Sequence, residues 1–248
     1  MYACVTADIE RFSDGAAKYK CSHIVDDIPA MRRLLTAFCD LDIPSTLFVL
    51  GKYVHDEPLI LDIIQENGHE LASHGYSHVD LRTLPSYMLE EELRKSRIVK
   101  ARGFRAPYYG LNKRVITCLN HLFMYDSSTM PIRTGGWGIQ RIYMLTESLM
   151  EIPISSVGGF SLSSMGIRIL PWAVIKRMAR LVLEKNGYII LNVHPWEFVR
   201  VPKEAAVPFY VKIGTGGTFS EKFCAFLTFL KRLDVEFVTM GEVYELYR

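Results

Sequence analysis

The sequence predicts an α/β fold in which about seven mostly parallel strands form a closed or nearly closed (β/α) barrel. Short apolar runs alternate with longer amphipathic stretches along the whole chain, a pattern typical of βα units and a mostly parallel sheet. The chain has 248 residues, of which 49% are hydrophobic, enough to form the core of one such barrel. No internal repeat or flexible linker divides it, so we expect a single domain over residues 1–248.

The strand predictions rest on short apolar runs. Strands of a parallel sheet are covered on both faces, so they read as nearly continuous apolar segments. The predicted strands are Tyr2–Ala7, Ser45–Leu50, Glu70–Ser73, Gly103–Ala106, Glu151–Ile154, Tyr188–Val193 and Val235–Val238.

The helix predictions rest on apolar residues at helical spacing and on stop signals. Asp27–Asp40 follows an acidic start, and Asn67-Gly68 and Asn186-Gly187 resemble helix ends. The predicted helices are Asp27–Asp40, Asp56–Asn67, Pro85–Lys100, Asn112–His121, Pro171–Asn186 and Ser220–Leu233.

Composition excludes several classes of protein. The 29 basic and 27 acidic residues give a net charge of +2, without the basic excess of a nucleic-acid binder, so we expect no nucleic-acid partner. The five cysteines are scattered and form no CxxC pair, which argues against disulfides and a cysteine zinc site. The N-terminus shows no secretory pattern and no apolar run is long enough to cross a bilayer, so we expect a cytoplasmic protein. The oligomeric state is not predicted.

Polar and ionisable residues follow the predicted strands. Active sites of α/β barrels form at the carboxyl ends of the strands, so side chains at those positions are candidates for chemistry. Five strand ends or apolar segments each deliver such a group, which scattered surface charge would not do. The candidates are Asp8, Glu10, His74, His78, Arg105, Tyr108, Asp126, His194 and Trp196.

The pair His74 and His78 indicates a metal site. On a helix this spacing puts both imidazoles on one face, and in a loop the intervening Gly75 would let the chain curl so that both reach one ion. A carboxylate from Asp8 or Glu10 would complete a set that leaves positions open for water. In extended backbone these two carboxylates point the same way, so one can bind metal while the other accepts a proton. Each pair taken alone could be ordinary polar loop residues; their coincidence at strand ends favours a site.

His194 follows a buried strand and could protonate a leaving amine, although a satisfied core histidine is the alternative. Arg105 could orient a catalytic carboxylate or form a structural ion pair. Asp126 could hold Arg105 or His194, or cap its own loop through Ser127 and Ser128.

Tyr108 and Trp196 are the aromatic residues of these strand ends. They could form the walls of a sugar-sized, substrate-binding pocket, or simply pack at the barrel rim.

Five motifs in order resemble the polysaccharide deacetylase family, carbohydrate esterase family 4. They are TADIE at 6–10, GHELASHGYSH at 68–78, RAPYY at 105–109, YDSS at 125–128 and LNVHPWE at 191–197. Each motif alone is weak evidence, but their order and spacing together are specific. The resemblance covers most of the chain and implies a distorted barrel. The D-x-E form of the first motif, with HPWE in the last, resembles one sub-branch of the family.

The resemblance also implies roles for the candidates. Asp8 would be the general base, Arg105 its positioning partner and His194 the general acid, with a backbone N–H near Tyr108 binding the oxyanion. Glu10, His74 and His78 would hold a divalent metal, usually Zn²⁺. The usual first motif has two adjacent aspartates, so here the exchange of roles between Asp8 and Glu10 is an alternative.

The resulting hypothesis is a metal-dependent hydrolase of a carbon–nitrogen amide bond, in carbohydrate metabolism. N-deacetylation of an amino sugar, in a glycan or a lipid-linked precursor, is the main expectation. A deformylase, a small-amide or ureide hydrolase, and a non-catalytic sugar-binding relative are alternatives. The segment Leu170–Asn186 combines apolar and basic residues, so peripheral membrane contact is an alternative to the packed helix that we favour.

Overall fold

A computed structural model describes residues 1–21, 25–66, 68–98, 100–130 and 140–248. Within them, nine strands form one sheet and two more form a separate hairpin. The strands are β1 (Tyr2–Ile9), β2 (Ser45–Val49), β3 (Glu70–Ser73), β4 (Gly103–Phe104), β5 (Tyr125–Asp126), β6 (Tyr143–Met144), β7 (Met150–Glu151), β8 (Ser156–Val157), β9 (Phe160–Ser161), β10 (Tyr188–Val193) and β11 (Glu236–Phe237).

The sheet is parallel apart from one edge strand. Its order is β10-β1-β2-β3-β4-β5-β7-β6, with β11 also paired to β1, and only β6 runs antiparallel to its neighbour. Beyond β7 the chain crosses towards the opposite edge, where the Ser155 N–H donates to the Ile190 carbonyl at 3.0 Å and Ser163 bridges Asn192. This crossing segment brings the two edges of the sheet together, which confirms the expected distorted (β/α) barrel of mostly parallel strands.

Side chains alternate between the barrel interior and the helical layer along each long strand. In β1, Ala3, Val5 and Ala7 pack in the large core beneath the helices, whereas Cys4 faces an interior cluster shared with Ile190 of β10. The inward-facing side chains are apolar at one end of the barrel and polar at the other. The polar side chains therefore lie at the carboxyl ends of the strands.

The helices cover the outside of the sheet. They are α1 (Phe12–Ala16), α2 (Asp27–Asp40), α3 (Gly51–Asp56), α4 (Leu59–Gln65), α5 (Ser86–Lys95), α6 (Lys113–Asn120), α7 (Ser164–Ile169), α8 (Trp172–Asn186), α9 (Phe209–Lys212), α10 (Gly217–Lys231) and α11 (Met240–Tyr247).

The predicted helix Asp56–Asn67 is wrong in its bounds, because two short helices occupy residues 51–65. The residue before a proline avoids helical backbone, and Glu57 before Pro58 has φ −134° and ψ 75°, so α3 ends at Asp56. The predicted end at Asn67 lies outside the described residues. The helix predicted over Asp27–Asp40 has those bounds in the structure.

Helix α8 packs against the core. Ile175, Ala179 and Val182 are fully buried on its inner face, as the favoured interpretation of Leu170–Asn186 expected. Among the residues described, no helix is both long enough and apolar enough to cross a membrane.

Candidate active site

A polar row inside the barrel begins the candidate site. Thr6 and Asn192 are paired across β1 and β10, and Asp8 lies one inward position further along β1. Asp8 belongs to the strand rather than following it, because β1 extends to Ile9. The Asn192 side-chain N–H donates to Asp8 Oδ2 at 3.0 Å, so both residues share one buried network.

Arg105 occupies the centre of this network and is fully buried. Its guanidinium donates to Asp8 Oδ1 at 2.7 Å, to Asn192 Oδ1 at 2.7 Å and to Thr6 Oγ1 at 2.9 Å. Its other nitrogens donate to the carbonyl and hydroxyl of Ser127 at 3.0 and 2.9 Å. A buried guanidinium with all these acceptors has one orientation, so it fixes the Asp8 carboxylate.

The surroundings keep Asp8 ionised. Burial acts to raise its pKa, but the positive charge of Arg105, with smaller effects of His74 and His194, outweighs burial and lowers the pKa below its usual value. Because Asp8 is held in its charged form inside the barrel, its carboxylate is able to accept a proton.

Glu10, His74 and His78 form a buried three-ligand cluster. One ligand atom of each lies within 4.8 Å of the others. The Nε2 atoms of His78 and His74 lie 2.5 and 3.5 Å from Glu10 Oε2. Burial would raise the pKa of Glu10, but the two imidazoles hold it well below its usual value. Two imidazoles and a carboxylate are a donor set typical of Zn²⁺ and other divalent ions.

The cluster fits a cation better than a set of internal hydrogen bonds. Glu10 Oε2 is buried and, among the described residues, has no partner with hydrogen-bond geometry, although two imidazole nitrogens converge on it. The His74 Nδ1 atom faces the Arg105 carbonyl at 2.9 Å, which leaves its Nε2 as the atom directed at the cluster. The structure thus groups Glu10, not Asp8, with the two histidines.

The loop between the two histidines is held from outside. The Glu92 carboxylate of α5 accepts from the backbone N–H groups of Tyr76 and Ser77 at 2.9 and 2.6 Å, and from the Ser77 hydroxyl at 2.8 Å. Gly75 has φ +76°, a backbone conformation that favours glycine, which lets the chain curl as expected. Glu92 is a positioning residue that sequence reasoning missed, because nothing in its helix distinguishes it from its exposed neighbours.

The turn that follows Arg105 is strained. Tyr108 and Tyr109 both have φ +57°, which is uncommon for residues with side chains and clusters at functional sites. The Tyr108 ring packs edge-on to His78 with ring centroids 4.7 Å apart, and the Tyr109 hydroxyl accepts from the Asn192 side chain at 2.9 Å. The turn therefore joins the metal cluster to the Asp8 network.

His194 lies between the carboxylates of Asp8 and Glu197. Its Nε2 is 3.6 Å from Asp8 Oδ2, and its Nδ1 is 3.3 Å from Glu197 Oε2. Burial acts to lower its pKa, but the hydrogen bond and charge of Glu197, and the charge of Asp8, raise it to about 9. Trp196 stacks on the imidazole with ring centroids 5.4 Å apart.

Two roles were considered for Asp126, holding Arg105 or His194 and capping its own loop, and the described hydrogen bonds support the cap. Asp126 lies in β5, where its carboxylate accepts from the Ser128 hydroxyl and backbone N–H at 2.8 and 3.0 Å. The Ser128 hydroxyl in turn accepts from the Ala106 N–H at 2.7 Å. Asp126 thus caps its loop, the alternative considered for it. Through Ser128 it also supports indirectly the turn that follows Arg105.

A cavity of about 470 Å³ opens over these groups. Neither Arg105 nor Asp126 lines this cavity. The predicted site residues that do line it are Asp8, Glu10, His74, His78, Tyr108, His194 and Trp196. Further lining residues are Phe12, Lys18, Tyr19, Met130, Ser163, Met165, Arg168 and Tyr210. Its size matches a small ligand, and aromatic side chains form part of its walls.

Asn192, Thr6 and Arg168 are site residues that the sequence analysis did not select. For Asn192 a signal existed: in the run Tyr188–Val193 it is the one polar residue, and it has the same inward parity as His194. Arg168 carried no such signal, because its partner Glu197 is distant in the chain.

Fold and site define the class of the protein. It is an α/β-barrel protein with a buried His–His–Glu cluster beside an arginine-paired aspartate, the arrangement of a candidate hydrolytic metal centre.

Comparison with known proteins agrees with this class. Residues 17–125 match the family model for polysaccharide deacetylase, and residues 127–245 match a domain of unknown function, DUF3473. A chitooligosaccharide deacetylase from Bradyrhizobium sp. (strain ANU 289) is 36% identical over 74 residues, covering 27% of this chain and 34% of that protein. The chain thus spans about a third of that curated relative.

Solved structures share the fold. A Mycobacterium smegmatis protein described as a polysaccharide deacetylase superposes with TM-score 0.70 at 20% identity, covering 98% of this chain and 88% of the other. Puue allantoinase superposes with TM-score 0.67 at 13% identity, covering 98% and 89%. At these identities the likeness shows the fold alone. The family match over residues 17–125, the short matches to curated relatives and the shared fold agree with the resemblance of this chain to the polysaccharide deacetylase family, carbohydrate esterase family 4.

Proposed function

We propose that this protein is a metal-dependent N-deacetylase that removes an acyl group from an amino sugar in a glycan or a lipid-linked precursor, with Zn²⁺ as its metal. The observation that carries the proposal is the convergence of three groups on one cavity. These are the Glu10–His74–His78 cluster, the Asp8 carboxylate paired with Arg105, and the His194 imidazole.

Each group has a task in amide hydrolysis. A divalent cation held by the cluster supplies a Lewis acid that makes water a better nucleophile near neutral pH. Asp8, kept ionised by Arg105, accepts a proton from the attacking water. The backbone N–H at Tyr108, in the strained turn, helps to stabilise the oxyanion.

His194 serves as the acid for the leaving amine. Its pKa of about 9 keeps the imidazole protonated at neutral pH, and its side chain is 24% exposed towards the cavity. Protonation of the nitrogen lets the carbon–nitrogen bond break, which releases an amine and a small carboxylate.

The cavity walls support a sugar as substrate. Trp196 and Tyr108 present ring surfaces that suit the apolar faces of a pyranose, as does Tyr19 on another side. The family match and the curated chitooligosaccharide deacetylases favour the same class of substrate.

The test compares wild-type protein with His74→Ala after loading with Zn²⁺ and dialysis. We expect about one bound zinc per chain and amine release from N-acetylated chitooligosaccharides in the wild type, and loss of both in the variant. His55→Ala is the matched control, since His55 is exposed on α3, outside the cluster, and its loss should change neither measurement.

Further substrates separate the alternatives. Formylated amino sugars, a lipid-linked acetylated amino sugar and a ureide are assayed beside the oligosaccharide. Turnover of the ureide alone would replace our proposal with a small-amide hydrolase, and glycan binding without zinc or turnover would replace it with a sugar-binding relative.

A further inference from the structure

The HPWE turn contains an ion pair on the cavity side of the barrel, next to His194. The Glu197 carboxylate is fully buried, and one of its oxygens lies 3.0 Å from the Arg168 guanidinium of α7, which is itself 3% exposed. Its other oxygen accepts from the His194 backbone N–H at 2.9 Å and lies 3.3 Å from His194 Nδ1.

Resting on the proposed function, we propose that Glu197, held by Arg168, is the positioning residue of His194: it fixes the proton on Nδ1 and turns Nε2 towards the scissile nitrogen. An ionised carboxylate can only accept, so the imidazole nitrogen beside it carries the hydrogen. The other nitrogen, Nε2, then faces the cavity on the Asp8 side.

Arg168 keeps Glu197 in the form that this role requires. Burial acts to raise the pKa of Glu197, but the charge of Arg168, and then the bond to His194, lower it below its usual value. Arg168 is itself anchored, because it also donates to the carbonyls of Val211 and Ile213 at 3.0 and 2.9 Å. Because the Arg168 guanidinium is held in position, it fixes the Glu197 carboxylate, and the carboxylate in turn fixes the orientation of the His194 imidazole.

The charged groups that surround His194 make this assignment specific. Asp8 faces the ring from β1, Glu10 acts on it from the end of the same strand, and Glu197 meets it from its own turn. Asp8 is engaged with Arg105 and Asn192, and Glu10 with two histidines. Glu197 is therefore the carboxylate that is committed to the imidazole, a role that Asp126 does not take in this chain.

The experiment measures the His194 imidazole directly. Zinc-loaded protein with ¹⁵N-labelled histidine is titrated by NMR, which reports both the pKa and the tautomer. In Glu197→Gln we expect the His194 pKa to fall by at least about 1, since the neighbouring negative charge is lost. We also expect a mixed tautomer, because an amide can either donate or accept.

Kinetics gives a second readout. We expect kcat of Glu197→Gln at neutral pH to fall by about 10-fold or more, and the alkaline limb of its pH profile to move down with the His194 pKa. Glu197→Asp retains the negative charge, so we expect the His194 pKa to return towards its wild-type value. We expect kcat to remain low, because the shorter side chain of aspartate holds the imidazole in a different position. Glu151→Gln, at another fully buried glutamate, is the matched control and should leave the His194 resonances unchanged.

The outcomes separate the two proposals. An unchanged His194 pKa and tautomer in folded Glu197→Gln overturns the positioning role, whatever the activity. A shifted pKa in a protein that hydrolyses no amide supports the positioning role and refutes the proposed function. If Glu197→Gln does not fold, Glu197→Asp is the deciding variant. The positioning role would be overturned if the His194 resonance of Glu197→Asp is displaced while its kcat equals that of the wild type.

Discussion

At the scale of single residues, the site follows from the alternation of inward-facing and outward-facing side chains along the strands. Cys4, Thr6 and Asp8 alternate with outward-facing residues along β1, and the inward row changes from apolar to polar towards the carboxyl end. Asp8 could be predicted because it stands at the end of an apolar run. Asn192 was not predicted because an amide inside a buried strand does not look like a catalytic group, although its paired position beside Thr6 makes it part of the network.

Asn192 should matter for both stability and rate. Asn192→Leu keeps the volume but removes its bonds to Asp8 and Arg105, leaving buried charged groups with fewer partners. We expect unfolding by urea to show a loss of about 2 kcal/mol. We also expect kcat/KM for the acetylated oligosaccharide to fall by about 10-fold, since Asp8 is less well held.

Asn186→Ala provides the comparison for that variant. Asn186 donates to the Gln140 carbonyl at 2.7 Å at the end of α8, outside the cavity. Its substitution should leave kcat/KM unchanged, and an equal loss of activity in both variants would contradict the role given to Asn192.

At the scale of elements, helices and turns position what the strands deliver. Glu92 of α5 fixes the loop that carries both metal-binding histidines, and Ser128 of the loop after β5 fixes the turn after Arg105. Such supports are distant in the chain from what they hold. Sequence motifs therefore identified the groups that converge, whereas the supports became visible only in the fold.

Glu92→Gln should weaken metal binding. The amide presents one acceptor where the carboxylate accepts three hydrogen bonds from Tyr76 and Ser77, so the histidine loop loses its fixed shape. We expect zinc affinity, measured by competition with a chromophoric chelator, to fall by about 10- to 100-fold.

The adjacent Glu91 offers a matched control on the same helix. It is exposed and pairs with Lys95 at 2.8 Å, an interaction that contributes little to stability. Glu91→Gln should keep wild-type zinc affinity, and a similar loss in both variants would show that any change in α5 disturbs the site.

At the scale of the whole molecule, the barrel joins the two regions that match separate family models. Strand β1 precedes both matched regions; it pairs with β2 of the region 17–125 on one side and with β10 of the region 127–245 on the other. The alternation of strands and helices was sufficient to predict the barrel. The two-residue strands β5, β6, β8 and β9 were not predicted, whereas the equally short β4, β7 and β11 were found because each overlaps a predicted apolar run.

A buried acidic pair should make global stability depend on pH. Burial, and then the charge of Asp126, raise the pKa of Glu151 well above its usual value. A group with a raised folded-state pKa contributes stability fully below its unfolded pKa of about 4.3, and that contribution is lost as pH rises towards the folded value. The wild type should therefore lose up to about 1.4 kcal/mol per pH unit from this group in that window.

Glu151→Gln should remove that dependence. Its side-chain carbonyl can still accept from the Thr129 N–H, as Glu151 does at 2.8 Å, and its amide can donate to Asp126 as a protonated acid would. Urea unfolding of both proteins from pH 5 to pH 8 measures the difference in their free energies of unfolding, because other titrating groups are common to both. A difference that stays constant across this range would contradict the pairing.

The position of β1 in the middle of the sheet also has a consequence for biosynthesis. It is hydrogen-bonded to β2 on one side and to β10 on the other, so it can complete its pairing only after a strand that is synthesised much later. Until Tyr188–Val193 has been translated, the backbone N–H and C=O groups along one edge of β1 are unpaired and can bond to non-native strands, including those of other nascent chains. Asp8 and Asn192 meet only when that gap closes, so the catalytic network assembles as a late event of folding.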